Sequence, residues 1–220
     1  MRVQLDFLAI LSQWPLLLQG VSWTVGLTVI SAIIGLLAGV ALAWCRVHGA
    51  RWVKWLAGTY VELIRNTPFI VQLFFVFFGL PAAGVRLSPE IASVIAMVIN
   101  LSAYAAEIIR AGIETTPRGQ VEAALSLALS RMQVFIYVVL PPALKRVWPA
   151  LVSQIVIVML GSAVCGQIST PELSFAANLI QSRNFRAFEA YIIATGIYLL
   201  LAIGVREGLN YIGPRWLFGR

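Results

Sequence analysis

Charge is what this sequence has least of. Asp, Glu, Lys and Arg make up 11% of its 220 residues, against about 25% in an ordinary soluble domain. Histidine occurs once, as His48, and cysteine twice, as Cys45 and Cys165. One histidine without acidic neighbours leaves no material for a Ser-His-Asp or metal centre. The two cysteines stand in or beside apolar segments with no CxxC or Cys/His spacing, so they read as small hydrophobes, not as a disulfide frame or zinc site. Lysine is equally scarce. Lys54 lies between Val53 and Trp55, and Lys145 between Leu144 and Arg146. A phosphate-cradling loop needs Gly-Lys-Ser/Thr, so ATP hydrolysis is not this chain's chemistry.

Apolar side chains fill the space that charge leaves. They form 60% of the chain, and the mean hydropathy is +0.88. Disorder is excluded, because it requires low hydrophobicity. A soluble monomer is excluded too, because one domain of this size cannot hide so much apolar surface. An integral membrane protein remains, with lipid as the solvent. The formal charge of +7 does not point to nucleic acid. Its basic residues stand singly between apolar runs, not along one stripe.

Stretches of about 20 apolar residues mark helices that span a bilayer. The first runs from about Gly20 to Trp44 and ends in the polar break Cys45 to Arg51. The stretch before it is short and contains Asp6, Gln13 and Pro15, so residues 1–19 are expected to form an interfacial segment. A second region starts with the amphipathic run Trp52–Ile64. A capped helix start is expected at Asn66-Thr67-Pro68, and the membrane part then continues to about Leu80. Further spans are expected from Pro89 to about Ile113, from about Pro149 to Ile168, and from about Phe188 to Val205. The prediction is an all-α protein with five transmembrane helices. Its permease domain covers about residues 20–210, and a tail follows over 211–220.

Orientation follows from Lys and Arg. One set of span ends holds Arg46, Arg51, Lys54, Arg110, Arg118, Arg131, Lys145, Arg146, Arg206, Arg215 and Arg220. The other holds Arg2, Arg86, Arg183 and Arg186. The richer set is expected in the cytoplasm, which puts the N-terminus outside and the C-terminus inside. No internal repeat is visible, and five spans do not divide into the inverted halves usual in secondary transporters.

The longest connection on the basic side, residues 114–148, contains good helix formers between Glu122 and Arg131. Ala123, Ala124 and Ala128 are expected to leave one side of that helix smooth, and Pro141-Pro142 to end the helix after it. The pattern fits a helix docked in another protein's groove and a helix resting on lipid headgroups equally well.

Here the sequence resembles a known family. Glu122-Ala123-Ala124, three residues, Ala128, nine residues, Val138, one residue, Leu140-Pro141 looks like the EAA loop of bacterial ABC-importer permeases, with Ala128 in place of the family Gly and Val138 in place of Ile. The strings Tyr60 to Pro68 with Val71-Gln72-Leu73, and Ala103 to Ile113 running into Pro117-Arg118-Gly119-Gln120, resemble the polar amino-acid branch. The resemblance covers nearly the whole chain. It implies the type I importer fold, in the bacterial inner membrane, with residues 114–148 holding a cytoplasmic coupling helix. It also implies two permease subunits, either identical or, as favoured here, different. Two cytoplasmic ATPase subunits would carry the ATP and Mg, leaving this chain without a cofactor, and a periplasmic amino-acid-binding protein would deliver the substrate.

Polar groups inside spans are costly unless paired or facing a watery path. Candidates for the path are Gln72, Asn100, Tyr104, Glu107, Gln154, Gly161 and Ser162, although for any single one of them interhelical hydrogen-bond glue is the favoured reading. Glu107 and Arg110 are spaced to pair, as are Glu62 and Arg65. Many family members carry Lys-Asp-Thr/Ser-Ser where this chain has Leu160-Gly161-Ser162-Ala163. The loss of the acidic residue leans towards acidic or neutral polar substrates such as glutamate, aspartate or glutamine. It fits equally a subunit that binds substrate weakly in a heterodimer. A membrane enzyme is disfavoured by the missing catalytic cluster. A channel that needs no partner remains as the rival.

Overall fold

The computed structural model describes residues 5–213 and 215. Arg2, Arg220 and most of the expected tail lie outside them. The described residues are helical nearly throughout. α1 spans Leu8–Leu11, α2 Trp14–His48, α3 Arg51–Arg65 and α4 Phe69–Phe74, which continues through a π-helical Phe75–Gly79 into α5, Leu80–Ala82. α6 spans Pro89–Glu114, α7 Arg118–Ser126 and α8 Arg131–Gln133. A π segment, Val134–Val139, joins α8 to α9, Leu140–Gly161, which tightens into a 3-10 turn over Ser162–Ile168. α10 is Leu173–Asn184 and α11 is Ala187–Ile212. Among the described residues, four helices are long and apolar enough to cross a membrane, and five if the bent pair α3 and α4–α5 is one span.

α6 is the axis of the bundle. Ser88 caps it, its hydroxyl accepting from the Ile91 amide at 3.4 Å, and Pro89 occupies the first turn, where a missing N–H costs nothing. α2 and α9 approach α6 closely enough to need glycine. A Cβ on Gly39 would stand 2.7 Å from that of Ala105, and one on Gly112 would stand 2.7 Å from the Val147 side chain. Such contacts pack helices where lipid supplies no hydrophobic drive. Leu101, Ala103, Ala105, Ala106 and Ile109 of α6 are fully buried.

Several boundaries differ from those expected. The first long helix begins at Trp14, not Gly20, because Pro15 sits in its first turn, a helix start and not an interruption. At about 1.5 Å per residue, its 35 residues exceed the thickness of the hydrocarbon core. Pro68 is itself the cap of α4, with extended backbone and no side-chain cap. The Thr67 hydroxyl instead turns back to the Leu63 carbonyl at 2.9 Å. α3 and α4–α5 meet at 109°.

The largest departure lies after α8. Arg131–Ile168 runs as one 38-residue helical rod. Pro141 and Pro142 do not end a helix but stand in the first turn of α9. Their missing N–H groups leave the carbonyls of Tyr137 and Val138 without the usual partners, and the π segment spanning those residues absorbs the mismatch. Ser130 and Gln133 start this rod with a capping box. The last long helix reaches Ile212, well past Val205. α10 was not expected at all. Its N-cap, Glu172, is completely buried and accepts from the amides of Ser174 and Phe175, at 2.9 and 2.7 Å, and from the Tyr198 hydroxyl of α11.

Candidate functional site

Two places gather the residues singled out by sequence. The first is the elbow between α3 and α4. Asn100, Tyr104 and Glu107 recur at helical spacing on the face of α6 that meets this elbow. Gln72 enters it from α4. Its amide nitrogen donates to the Ile64 carbonyl at 2.8 Å and to the carbonyl and hydroxyl oxygens of Thr67 at 3.0 Å. Its oxygen accepts from Asn100 at 3.0 Å. Gln72 therefore clamps the elbow and has little left to offer a ligand. The Tyr104 hydroxyl donates to the Arg65 carbonyl at 3.3 Å, and the Arg65 guanidinium lies over the Tyr104 ring, 5.6 Å from its centre.

Glu107 is more heavily engaged than the pairing with Arg110 suggested. It accepts from both Arg46 and Arg110, and Arg110 also reaches Glu114. Arg65 approaches the same carboxylate at 3.8 Å. Glu62 and Arg65, spaced alike, do not pair. Glu62 accepts from Asn66 at 3.4 Å, while Arg65 turns towards Glu107. One carboxylate thus ties α2 to α6 near their common end, with Arg65 of α3 close by but not hydrogen-bonded to it. Sequence spacing found Arg110 but not Arg46, which is 61 positions from Glu107 and marked only as a charge at the end of an apolar run.

The other three candidates do not join this cluster. Gln154 is buried on α9, and the Ser162 hydroxyl is taken by the Met159 carbonyl of its own helix at 2.7 Å. Gly161 ends α9, where the rod tightens.

The second place is the connection around α7. Arg146 of α9 donates to the Thr115 hydroxyl at the end of α6, closing its base. α7 itself runs over Arg118–Ser126, earlier than the expected Glu122–Arg131. Its three alanines do not share a side. Ala123 is exposed, whereas Ala124, about 100° round the helix, is buried against the core that also holds Phe135, Val139 and Ala143. Ala128 lies beyond the helix with φ +60°, a left-handed residue that terminates it. Glycine suits that position for its backbone freedom, not for close approach of a partner. Val138 and Leu140 pack inward on the same core, while Pro141 is exposed. The outward set is therefore Glu122, Ala123, Ala128 and Pro141. Leu127 joins them at 76% exposure, an apolar residue that the spacing argument passed over. A cavity of about 220 Å³, lined by His48, Val121, Leu125 and Arg131 among others, lies beneath α7. His48 stacks on Trp44 at 4.1 Å, which is packing and not catalysis.

The chain is 36% identical over 192 residues to the probable glutamine ABC transporter permease protein GlnM of Bacillus subtilis (strain 168), covering 86% of this chain and 89% of that one. It is 35% identical over 202 residues to the arginine transport system permease protein ArtQ of the same organism, covering 91% and 92%. A crystal structure of an amino acid ABC transporter with histidines superposes with a TM-score of 0.86 at 36% identity, over 96% of this chain and 98% of that one. Residues 12–217 match the family model of binding-protein-dependent transport system inner membrane components. The chain belongs to that family, as a multi-pass membrane permease subunit of an amino-acid ABC transporter whose ATPase is a separate chain.

Proposed function

We propose that this permease imports a polar L-amino acid, acidic or neutral, from the periplasm to the cytoplasm, and that α7 is the lever through which ATPase subunits drive it. The observation that carries the lever is its geometry. α7 is a nine-residue helix held to the bundle by Val121 and Ala124 alone among its first seven residues, with Glu122 and Ala123 facing outward and the exposed Leu127 just past its end. The one-piece rod Arg131–Ile168 then carries any displacement of its base towards Gly161 and Ser162. The excess of Lys and Arg at the α7 end supports a cytoplasmic position for it, with the N-terminus outside and the C-terminus inside. ATP and Mg belong to two partner ATPases, and a periplasmic binding protein supplies the amino acid. A second permease completes the pore, and a non-identical one is favoured.

The leaning in substrate rests on charge. Every acidic group at the elbow apart from the exposed Glu62 is already met by arginine, and Gly161-Ser162 offers no carboxylate to a cationic side chain. A basic substrate is the second reading, favoured by the similarity to ArtQ. Uptake of labelled glutamine into proteoliposomes that hold the complete complex decides between them. Glutamate and glutamine should compete better than arginine. Stronger competition by arginine overturns the reading.

A further inference from the structure

We propose that Arg65 is the residue that receives the α-carboxylate of the travelling amino acid; this rests on the amino-acid import reading above. Three guanidinium groups gather at the elbow, from Arg46, Arg65 and Arg110, against two carboxylates, Glu107 and Glu114. Glu62, the remaining acidic residue of the elbow, is exposed and pairs with none of the three, so one guanidinium is left without a close partner. It belongs to Arg65. The Arg46 side chain is 16% exposed and directly bound to Glu107, and that of Arg110 is 26% exposed and bound to both Glu107 and Glu114. Arg65 is 39% exposed, and its 3.8 Å approach to Glu107 is longer than a hydrogen bond. Its donors therefore remain available for a planar, bidentate partner, the geometry a carboxylate supplies.

Its position is fixed although its head is free. Gln72 pins the turn that follows Arg65, and the Tyr104 hydroxyl holds its backbone carbonyl while the ring lies beneath the guanidinium. Asn100, one helical turn before Tyr104, spends one amide hydrogen on Gln72, and none of the described residues donates to its side-chain oxygen. A carboxylate on Arg65 would leave the substrate's ammonium group that oxygen to reach. The elbow therefore offers a cation and an acceptor to the part of the substrate that all amino acids share.

The test is a cycle of binding measurements on the complete permease–ATPase complex in detergent, without the binding protein. Labelled glutamine, glutamate and arginine, each as free acid and as α-carboxamide, are titrated on wild type and on Arg65→Gln and Arg65→Lys. The wild type should prefer the free acid about tenfold, the scale of one charge-assisted hydrogen-bonded contact. Arg65→Gln should lose that preference while binding the carboxamide as the wild type does, and Arg65→Lys should restore part of it. A preference that survives in Arg65→Gln, or an equal loss of affinity for acid and amide, overturns the assignment, because a merely structural role lowers both alike. Arginine bound in preference to glutamine and glutamate overturns the substrate reading but leaves the cycle readable on arginine itself. A wild type that binds none of the three overturns both.

Discussion

Arg46 at the end of α2 donates to the carboxylate of Glu107 on α6, across 61 positions of sequence. The same carboxylate takes Arg110, so it works as a hub and not as half of a simple pair. Removing the hub should therefore cost more than removing a spoke. Glu107→Leu leaves three guanidinium groups facing only Glu114, whereas Arg46→Met leaves Glu107 with Arg110 still bound. In a denaturant titration of the purified protein, Glu107→Leu should be the less stable single variant. The double variant should lose less than the sum of the two, with a coupling of about 1–3 kcal/mol. Strict additivity counts against the hub.

Neighbouring alanines should behave as opposites. Ala123 faces outward on α7, and Ala124 is 5% exposed against the core. Ala123→Asp should insert and fold as wild type but lose ATP-coupled uptake, because a charge at the centre of a docked groove costs on the order of 2 kcal/mol or more. Glu122→Lys should do the same. Ala124→Asp should instead lower the amount of folded protein, since it buries an unpaired charge. Normal uptake by Ala123→Asp would remove the case for docking on that face.

The backbone at Ala128 sets a third expectation. Its φ of +60° costs an L-residue with a Cβ roughly 1 kcal/mol that glycine does not pay. Ala128→Gly should slow amide exchange over residues 118–130 by several-fold, and Ala128→Val should speed it. Exchange that is faster in the glycine variant would show that chain entropy outweighs the strain.

The sequence made the large features legible, and chemistry explains the division. The span Pro89–Glu114 was readable almost to the residue, because Ser88-Pro89 is a start signal and Thr116-Pro117 a stop. Gln72, Asn100, Tyr104 and Glu107 were readable as candidates alongside Gln154, Gly161 and Ser162, mostly because polarity in an apolar run is conspicuous, but nothing in the spacing said which of the seven the fold brings to one elbow. Proline misled twice. Pro15 starts a helix and Pro141-Pro142 continue one, and local pattern does not distinguish these uses from a break. α10 is polar for a membrane protein and too short to register as a span, so no periodic signal marked it. Arg46 was invisible as a partner of Glu107, since pairing across helices has no spacing rule. Ala128 was read as a contact because a spacing pattern records that a small residue is needed, not whether space or a dihedral angle needs it.

Close helix crossing gives a fourth expectation. The position of Gly39 admits no Cβ without moving Ala105 on α6, where backbone and small side chains leave nothing flexible to yield. Gly39→Leu should separate α2 from α6, weaken the reach of Arg46 to Glu107 and lower the unfolding midpoint, at a cost of about 1–3 kcal/mol. Gly196→Leu on α11 is the control, because nothing lies within 4 Å of its added Cβ. Thermal unfolding of both variants in one detergent checks the contrast, and equal losses would sink it.

Glu172 ties the α9–α10 turn to α11, and its environment fixes how stability depends on pH. Burial is the largest influence on its carboxyl and raises it above the ordinary value of 4.5, outweighing the hydrogen bonds from Tyr198 and from the Ser174 and Phe175 amides. A carboxyl raised in the folded state favours the protonated fold. Its contribution is fully present below the unfolded value and is lost as pH rises through the folded one. Glu172→Gln keeps an acceptor for the two amides and removes the charge, so its stability should not share that loss. The difference in unfolding midpoint, variant minus wild type, should therefore grow as pH is raised from about 5 to about 8, with contributions from the other carboxylates cancelling. Because Gly166 lies against the same carboxylate, where an added Cβ would stand 2.7 Å from its Oε1, Gly166→Ala should lower the midpoint of both proteins at every pH. A midpoint difference that shrinks with rising pH would mean that the hydrogen bonds, and not burial, govern this group.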